Sequence, residues 1–447
     1  MWQKVYNLIR NKYFLSLAGN IIMSGLGLIT MTLIYRALSK TEAGTWVFFQ
    51  SILLLVDTFR SGFLTTAFIK FYAGATKERT AEVAGSAWFL GLLITGALAI
   101  VSVCCHLFLT GINDEGLLLF FKWSGLYYAF SLPWFLATCV IQGEQKFDRL
   151  LYIRLSNQGS FIVFIVVLIV IGKITLFNVL YAYLTSNFIT SVYALLKGWT
   201  RIAALTKRTK TNIIEIYHFG KYSVGSALSS NMFSTSDTFI INFMLGKPAL
   251  AIYNLGQTLM QLVEIPLRSF AVTAMPELAS AYNQNNRAGV IQIMKKYAGM
   301  LSVILIPAAL IGCALADVPI YIIGGGKYAG TEAANVFRLF LTFAIIFPPD
   351  RFFALTLDVI HQPKINFYKV LVMLAVNISS DFLGISITHN VYGIAFATIL
   401  PILTGTIIGY WALNKYFKFS FWSIFKVGYD ETIALLKQMR GKRKLQS

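Results

Sequence analysis

Apolar runs long enough to cross a bilayer recur along the whole chain, separated by short polar breaks. A membrane helix needs about 20 mainly apolar residues. By that measure twelve spans are predicted, over 13–35, 45–70, 82–109, 116–141, 150–171, 174–196, 217–245, 249–275, 294–316, 332–360, 365–387 and 390–414. The seventh is the most polar, since its "SALSSNMFSTSDTF" cannot face lipid on all sides. The pattern groups into two six-helix lobes, 1–196 and 217–414, joined by a basic linker over 197–216. Residues 415–447 mix aromatics with Lys and Arg and hold no run long enough to span. They read as an amphipathic helix lying on anionic headgroups. The predicted class is an all-α polytopic membrane protein.

Composition narrows the function. Of the 447 residues, 57% are hydrophobic and 13% are charged, against roughly 25% charged in soluble domains. The net charge of +19 does not point to nucleic acid, because its sources are loops. Lys4, Arg10, Lys12, Lys77, Arg79, Lys146, Arg149, Lys197, Arg201, Lys207, Arg208, Arg287 and Lys295 all fall on the side of the termini. The opposite loops carry little beyond Arg36, Lys40, Lys173, Lys247 and Lys327. Basic loops stay cytoplasmic, so both termini are expected in the cytoplasm. Cys104, Cys105, Cys139 and Cys313 lie in apolar runs without metal-ligand spacing and read as small buried hydrophobes.

Several spans carry charge at membrane depth, where a charged side chain costs about 2.5–3.5 kcal/mol even on the lenient scale. Asp57 and Arg60 are three apart in the second span and so share a helix face. Gln257, Gln261, Glu264 and Arg268 follow at i, i+4, i+7 and i+11, which predicts one polar stripe. Asn231 and Asp237 add polarity to the seventh span, and Pro348–Pro349 must break the helix beside Asp350 and Arg351. The expected arrangement is a wet cavity of mixed sign. Arg60, Arg268, Arg351, Gln257, Gln261 and Asn231 would bind substrate there. Asp57, Asp237, Glu264 and Asp350 would pair with the cations or carry a coupling ion. Guanidinium groups suit phosphate oxygens, so a phosphate-bearing, lipid-linked substrate is the expected cargo.

The halves also echo each other. A shift of 207 residues sets 37–61 over 244–268 without a gap, so that Asp57 meets Glu264 and Gln50 meets Gln257. Parallel six-span repeats are a known way of building transporters. No phosphate-loop motif is present, and "IIGGGKYAGT" reads as a turn. His106, His218, His361 and His389 are scattered. No cofactor or metal is expected, and a proton or sodium gradient is the candidate driving force. A membrane glycosyltransferase would need a larger catalytic loop than any here.

"RALSKTEAGTWVFFQSI" and its counterpart "LGKPALAIYNLGQTLMQL", with "IIGGGKYAGTEAANVFRLF" and "NVYGIAFATIL", resemble segments of polysaccharide-biosynthesis exporters. On these residues the chain is similar to the multidrug/oligosaccharidyl-lipid/polysaccharide (MOP) exporter superfamily, in its O-antigen-type flippase branch. The resemblance implies two lobes around a central cavity and a non-enzymatic cycle of alternating access. It implies transfer of undecaprenyl-diphosphate-linked oligosaccharide across a bacterial inner membrane by a monomer, alongside a polysaccharide polymerase and glycosyltransferases. A cation-coupled multidrug antiporter and a lipid II flippase are the alternatives on the same fold. Lipid II flippases usually carry two further helices, which this length does not accommodate.

Overall fold

A computed structural model of the chain describes residues 12–108, 111 and 113–444. Lys4, Arg10 and the end of the basic tail, 445–447, lie outside the described residues. By internal contacts the chain divides between Thr235 and Ser236.

Unit 1 is built from α1 (Lys12–Ala37), α2 (Lys40–Tyr72), α3 (Lys77–Phe108), α4 (Glu115–Gly143), α5 (Phe147–Val170) and α6 (Leu176–Leu196). A 3-10 helix, Ile202–Lys207, and most of α7 (Lys210–Met244) complete it. Polar residues at the breaks start the helices. Ser39 and Glu42 form a reciprocal capping box on α2, Asp114 accepts from Leu117 N–H ahead of α4, and Thr175 accepts from Asn178 N–H ahead of α6. Each satisfies backbone donors that a helix start leaves open. The core of the unit is aromatic. Trp46, Phe161, Tyr127 and Tyr183 meet in two stacked and two edge-on pairs with centroids 5.3–6.0 Å apart, joining α2, α4, α5 and α6. The outer faces are apolar too: Leu93, Ile100, Val103 and Leu107 project from α3 and are more than half exposed. An apolar exterior of this kind belongs in lipid.

The expected linker over 197–216 is not free chain. Its 3-10 helix packs on α3, where a Cβ at Gly85 would stand 2.1 Å from the Ala204 carbonyl oxygen, so only glycine admits the contact. α7 then begins at Lys210, within the range assigned to the linker.

Unit 2 continues from α7 through α8 (Lys247–Leu259), α9 (Gln261–Asn283), α10 (Arg287–Ala314) and a short α11 (Asp317–Gly324). It closes with α12 (Ala333–Thr342), α13 (Phe347–Val359), α14 (Pro363–Thr388), α15 (Val391–Ala397), α16 (Ile399–Tyr416) and α17 (Ser423–Lys444). Several of these are halves of interrupted spans. A 3-10 turn at Ala344–Ile346 separates α12 from α13, whose first turn takes Pro348 and Pro349, where proline costs no helix hydrogen bond. The C-terminal tail is helical but not merely laid on headgroups. α17 docks on α10 through Gly299 and Gly428, where a Cβ on either would meet backbone 2.0 Å away.

Ten helical segments among the described residues are long and apolar enough to span a membrane. The polar α7, of 35 residues, and the broken α8–α9 pair bring the total to about twelve.

Candidate functional site

Unit 1 keeps its membrane-depth charge in a closed arrangement. On α2, Arg60 Nη2 lies 2.6 Å from Asp57 Oδ1, one turn away. Arg60 is only 1% exposed. Its Nη1 donates to the Tyr128 carbonyl on α4 at 3.2 Å, and its guanidinium carbon sits 4.7 Å from the Phe135 ring centre and 5.4 Å from that of Tyr128. α4 is irregular here because Pro133 has no N–H for the carbonyl one turn back. Ser191 of α6 mends the break, accepting from Trp134 N–H at 3.2 Å and donating to the Phe130 carbonyl. Side chains from a neighbouring helix make such a break tolerable at membrane depth.

This corrects the expectation for Arg60. It does not present a free guanidinium to substrate, because the aromatics of α4 close over it. Asn231, also expected as a substrate contact, gives an amide N–H to Thr58 Oγ1 at 2.6 Å and so braces α7 to α2.

Unit 2 differs. Glu264 Oε2 and Arg268 Nη2 pair at 2.6 Å on α9, yet the side chains are 50% and 69% exposed. Gln261, one turn before Glu264, is exposed as well, while Gln257 is half-buried on α8. The continuous stripe expected from the sequence is interrupted. The helix breaks at Met260, whose N–H bonds back to the Gln257 carbonyl at 3.0 Å, and Gln257 falls on a separate segment. Gln261, Glu264 and Arg268 remain on one face of α9. At ~1.5 Å per residue, Arg268 lies about 22 Å along α9 from its end at Asn283. Glu264 and Arg268 both fall within the span expected over 249–275. Exposed charge within a membrane span requires water beside it.

Asp350 and Arg351 part company on α13. Asp350 turns inward to Lys369 of α14, with Nζ 2.7 Å from Oδ1, and Lys369 is 2% exposed. Arg351 is exposed.

The third arrangement carries acid without base. Asp237, near the end of α7, accepts from Tyr253 Oη at 2.5 Å and from Asn377 Nδ2 at 2.6 Å. The same Asn377 amide reaches Asp381 Oδ2 at 3.0 Å. Asp237 is 5% and Asp381 0% exposed. Thr398 closes the cluster, its hydroxyl 3.5 Å from that of Tyr253. Among the described residues no Lys or Arg pairs with either carboxylate. Two buried acids that converge on one amide need a compensating positive charge, and a proton or a small monovalent cation would supply it.

Sequence reasoning singled out Asp237 and missed Tyr253, Lys369, Asn377 and Asp381. Asn377 and Asp381 stand four apart in an apolar span, and Lys369 interrupts the same span. An ionisable residue inside a membrane helix was the available signal.

A family model described as "Polysaccharide biosynthesis protein" matches residues 9–282. Solved structures share the fold at low sequence identity. A multidrug resistance MATE family transporter of the MOP superfamily, in an inward-facing conformation, aligns with a TM-score of 0.75 at 14% identity, covering 89% of this chain and 96% of that one. The lipid II flippase MurJ, in an inward closed conformation, gives 0.73 at 15% identity over 94% of this chain and 91% of its own. A MOP superfamily transporter from Pyrococcus furiosus, described as having a binding pocket of reverse polarity, gives 0.60 at 16%, covering 90% and 96%. No curated protein matches the chain.

Proposed function

Because the chain belongs to the polysaccharide biosynthesis protein family and has the fold of MOP-superfamily transporters, we propose that it is a flippase. Its cargo is a polyprenyl-diphosphate-linked oligosaccharide, a repeat unit of a surface polysaccharide, moved between leaflets by alternating access. The observation that carries this reading is the exposed Gln261–Glu264–Arg268 face of α9, within the span expected over 249–275. Water must reach it, and Arg268 offers a guanidinium suited to diphosphate oxygens. Glu264 holds that guanidinium in place until the diphosphate competes for it. The isoprenoid tail stays in hydrocarbon throughout, so only the head is carried past polar groups.

Four acids were candidates for pairing or for coupling to a proton or sodium gradient. Asp57 is committed to Arg60, Glu264 to Arg268 and Asp350 to Lys369. Asp237, joined by Asp381 and lacking a basic partner, is the one whose charge state can change with the ion. We therefore assign coupling to the Asp237–Asn377–Asp381 cluster. The distribution of basic loops supports placement in a bacterial inner membrane with cytoplasmic termini. A polymerase and glycosyltransferases would be its working partners.

The test is transport in proteoliposomes loaded with a fluorescent polyprenyl-diphosphate oligosaccharide in one leaflet. Wild-type protein should expose the label to an impermeant quencher. Arg268→Gln should abolish this at unchanged protein level, and Asp381→Asn should remove its dependence on an imposed ion gradient. Efflux of a cationic dye with no movement of the labelled lipid would instead establish the drug antiporter.

A further inference from the structure

A second basic centre lies outside the transport groups, at the end of unit 1 where α4 meets α5 and α6 runs into the 3-10 helix. A polar recess of about 140 Å³ opens there, lined by Glu144, Arg149, Lys197, Trp199 and Arg201 over a floor that includes Val140. Its walls are fixed by backbone. α6 ends in a Schellman turn, with Gly198 at φ +66° and Trp199 N–H bonded to the Ala194 carbonyl at 3.1 Å. Trp88 of α3 donates its indole N–H to the Thr200 carbonyl at 2.7 Å. Arg201 follows in the left-handed region at φ +52°, a conformation that costs a non-glycine residue energy and needs its surroundings to impose it.

The charges do not balance. Glu144 is the recess's one acid, and it accepts from Lys146 at 2.6 Å, Arg201 at 2.7 Å and Tyr72 at 3.2 Å. That leaves Arg149 and Lys197. Arg149 is half-buried with its guanidinium carbon 5.7 Å from the Trp199 ring centre. Lys197 lies 5.9 Å from that of Tyr193. Among the described residues neither has an acidic partner within ion-pair distance, and Asp148, on the same turn as Arg149, is exposed and pairs with neither.

The surroundings indicate what fills the gap. Phe188, Val192 and Leu196, four apart on α6, are 47%, 36% and 82% exposed. They form an apolar stripe on the outer face of a membrane-spanning helix, and it ends at Lys197. Two unpaired cations at the head of a lipid-facing stripe, with Trp199 and Tyr193 at the interface, match the chemistry of a lipid whose head is a phosphate.

We propose that this recess binds the phosphate of an anionic glycerophospholipid, with Arg149 and Lys197 on the headgroup and the acyl chains along Phe188, Val192 and Leu196. The site is separate from the α9 face and does not depend on the flippase reading.

Native mass spectrometry of the full-length protein, titrated with phosphatidylglycerol and with phosphatidylcholine, tests this. Wild-type protein should retain phosphatidylglycerol in preference. A cation near a membrane surface contributes about fivefold in affinity, so Arg149→Gln/Lys197→Gln should weaken phosphatidylglycerol about twenty-five-fold and leave phosphatidylcholine unchanged. Lys197 is exposed, so Lys197→Gln alone cannot unfold the protein and should give about fivefold. Equal retention of phosphatidylglycerol by wild type and the double variant would overturn the site. Displacement of the lipid by millimolar inorganic phosphate, or protection by phosphate alone, would overturn the lipid and leave a free-anion site.

Discussion

Arg60 and Arg268 carry the same functional group and each pairs with an acid one turn away on its own helix, yet one is enclosed and the other exposed, and the proposed function gives them opposite roles. Replacing each with Gln tests this. Because both pairs are intrahelical, they persist in a bilayer after the helices separate, so the pairs largely cancel from the folding balance. What remains for Arg60 is what α4 adds. A hydrogen bond from a charged donor to the Tyr128 carbonyl contributes about 1.5–3 kcal/mol, and the desolvated ring faces of Phe135 and Tyr128 contribute about 1 kcal/mol more. Arg60→Gln should therefore destabilise the protein by about 3 kcal/mol. Arg268 is 69% exposed, and removing such a pair should cost no more than about 0.5 kcal/mol. Steric trapping in lipid bilayer discs measures both free energies, and the fluorescent-lipid assay on the same samples measures transport. Arg60→Gln should lose transport in proportion to lost folded protein, while Arg268→Gln should lose it with the fold intact. Equal destabilisation by the two substitutions, or a stable Arg60→Gln protein that is inactive, would refute the assignment of Arg60 to structure.

Gly299→Val should undock the C-terminal helix, since its Cβ would stand 2.0 Å from the Ile424 carbonyl and overpacking costs about 1–3 kcal/mol; amide exchange over residues 423–434 should accelerate, and unchanged protection would show that the contact does not hold α17. Glu144 gives a pH dependence of definite sign. Burial alone would raise its carboxyl, but hydrogen bonds from Lys146 and Arg201 outweigh that and hold it below the usual carboxylate range. A lowered folded value means that its stabilisation is complete above about pH 4.3 and is lost as pH falls through the folded value. Melting temperature should thus decline on acidification there, more in wild type than in Glu144→Gln, and parallel pH profiles would count against the clamp.

Much of the fold was legible because lipid imposes a simple rule: a long apolar run must be a helix that satisfies its own backbone. The Asp57–Arg60 pairing was legible for the same reason, being fixed by helical spacing. What no spacing reveals is the third party. Tyr128 and Phe135 lie roughly seventy residues along the chain from Arg60, and only packing of α4 on α2 decides that this guanidinium is enclosed. The break at Met260 was hidden for a similar reason. The stripe from Gln257 to Arg268 keeps helical period across a point where the helix itself does not continue. Asp381, Asn377 and Lys369 stand as isolated polar residues in an apolar run, and their partners lie on other helices, Asp350 on α13 and Asp237 on α7.

The same packing sorts the charges by what they can do. A transport cycle needs groups whose partners change. Arg60 and Lys369, at 1% and 2% exposure, cannot exchange their acids for a ligand without leaving a buried charge uncompensated, which costs about 3–5 kcal/mol. They are fixed points of their units. On the proposed function, Arg268 would trade Glu264 for a diphosphate at little cost, because both side chains are exposed. On the proposed coupling, Asp237 and Asp381 would trade one cation for another, because among the described residues no Lys or Arg pairs with either. Substrate recognition and energy coupling would therefore fall, on the proposed function, to groups in unit 2 that the fold leaves incompletely answered, while the enclosed Arg60 and Lys369 pairs hold the helices in register.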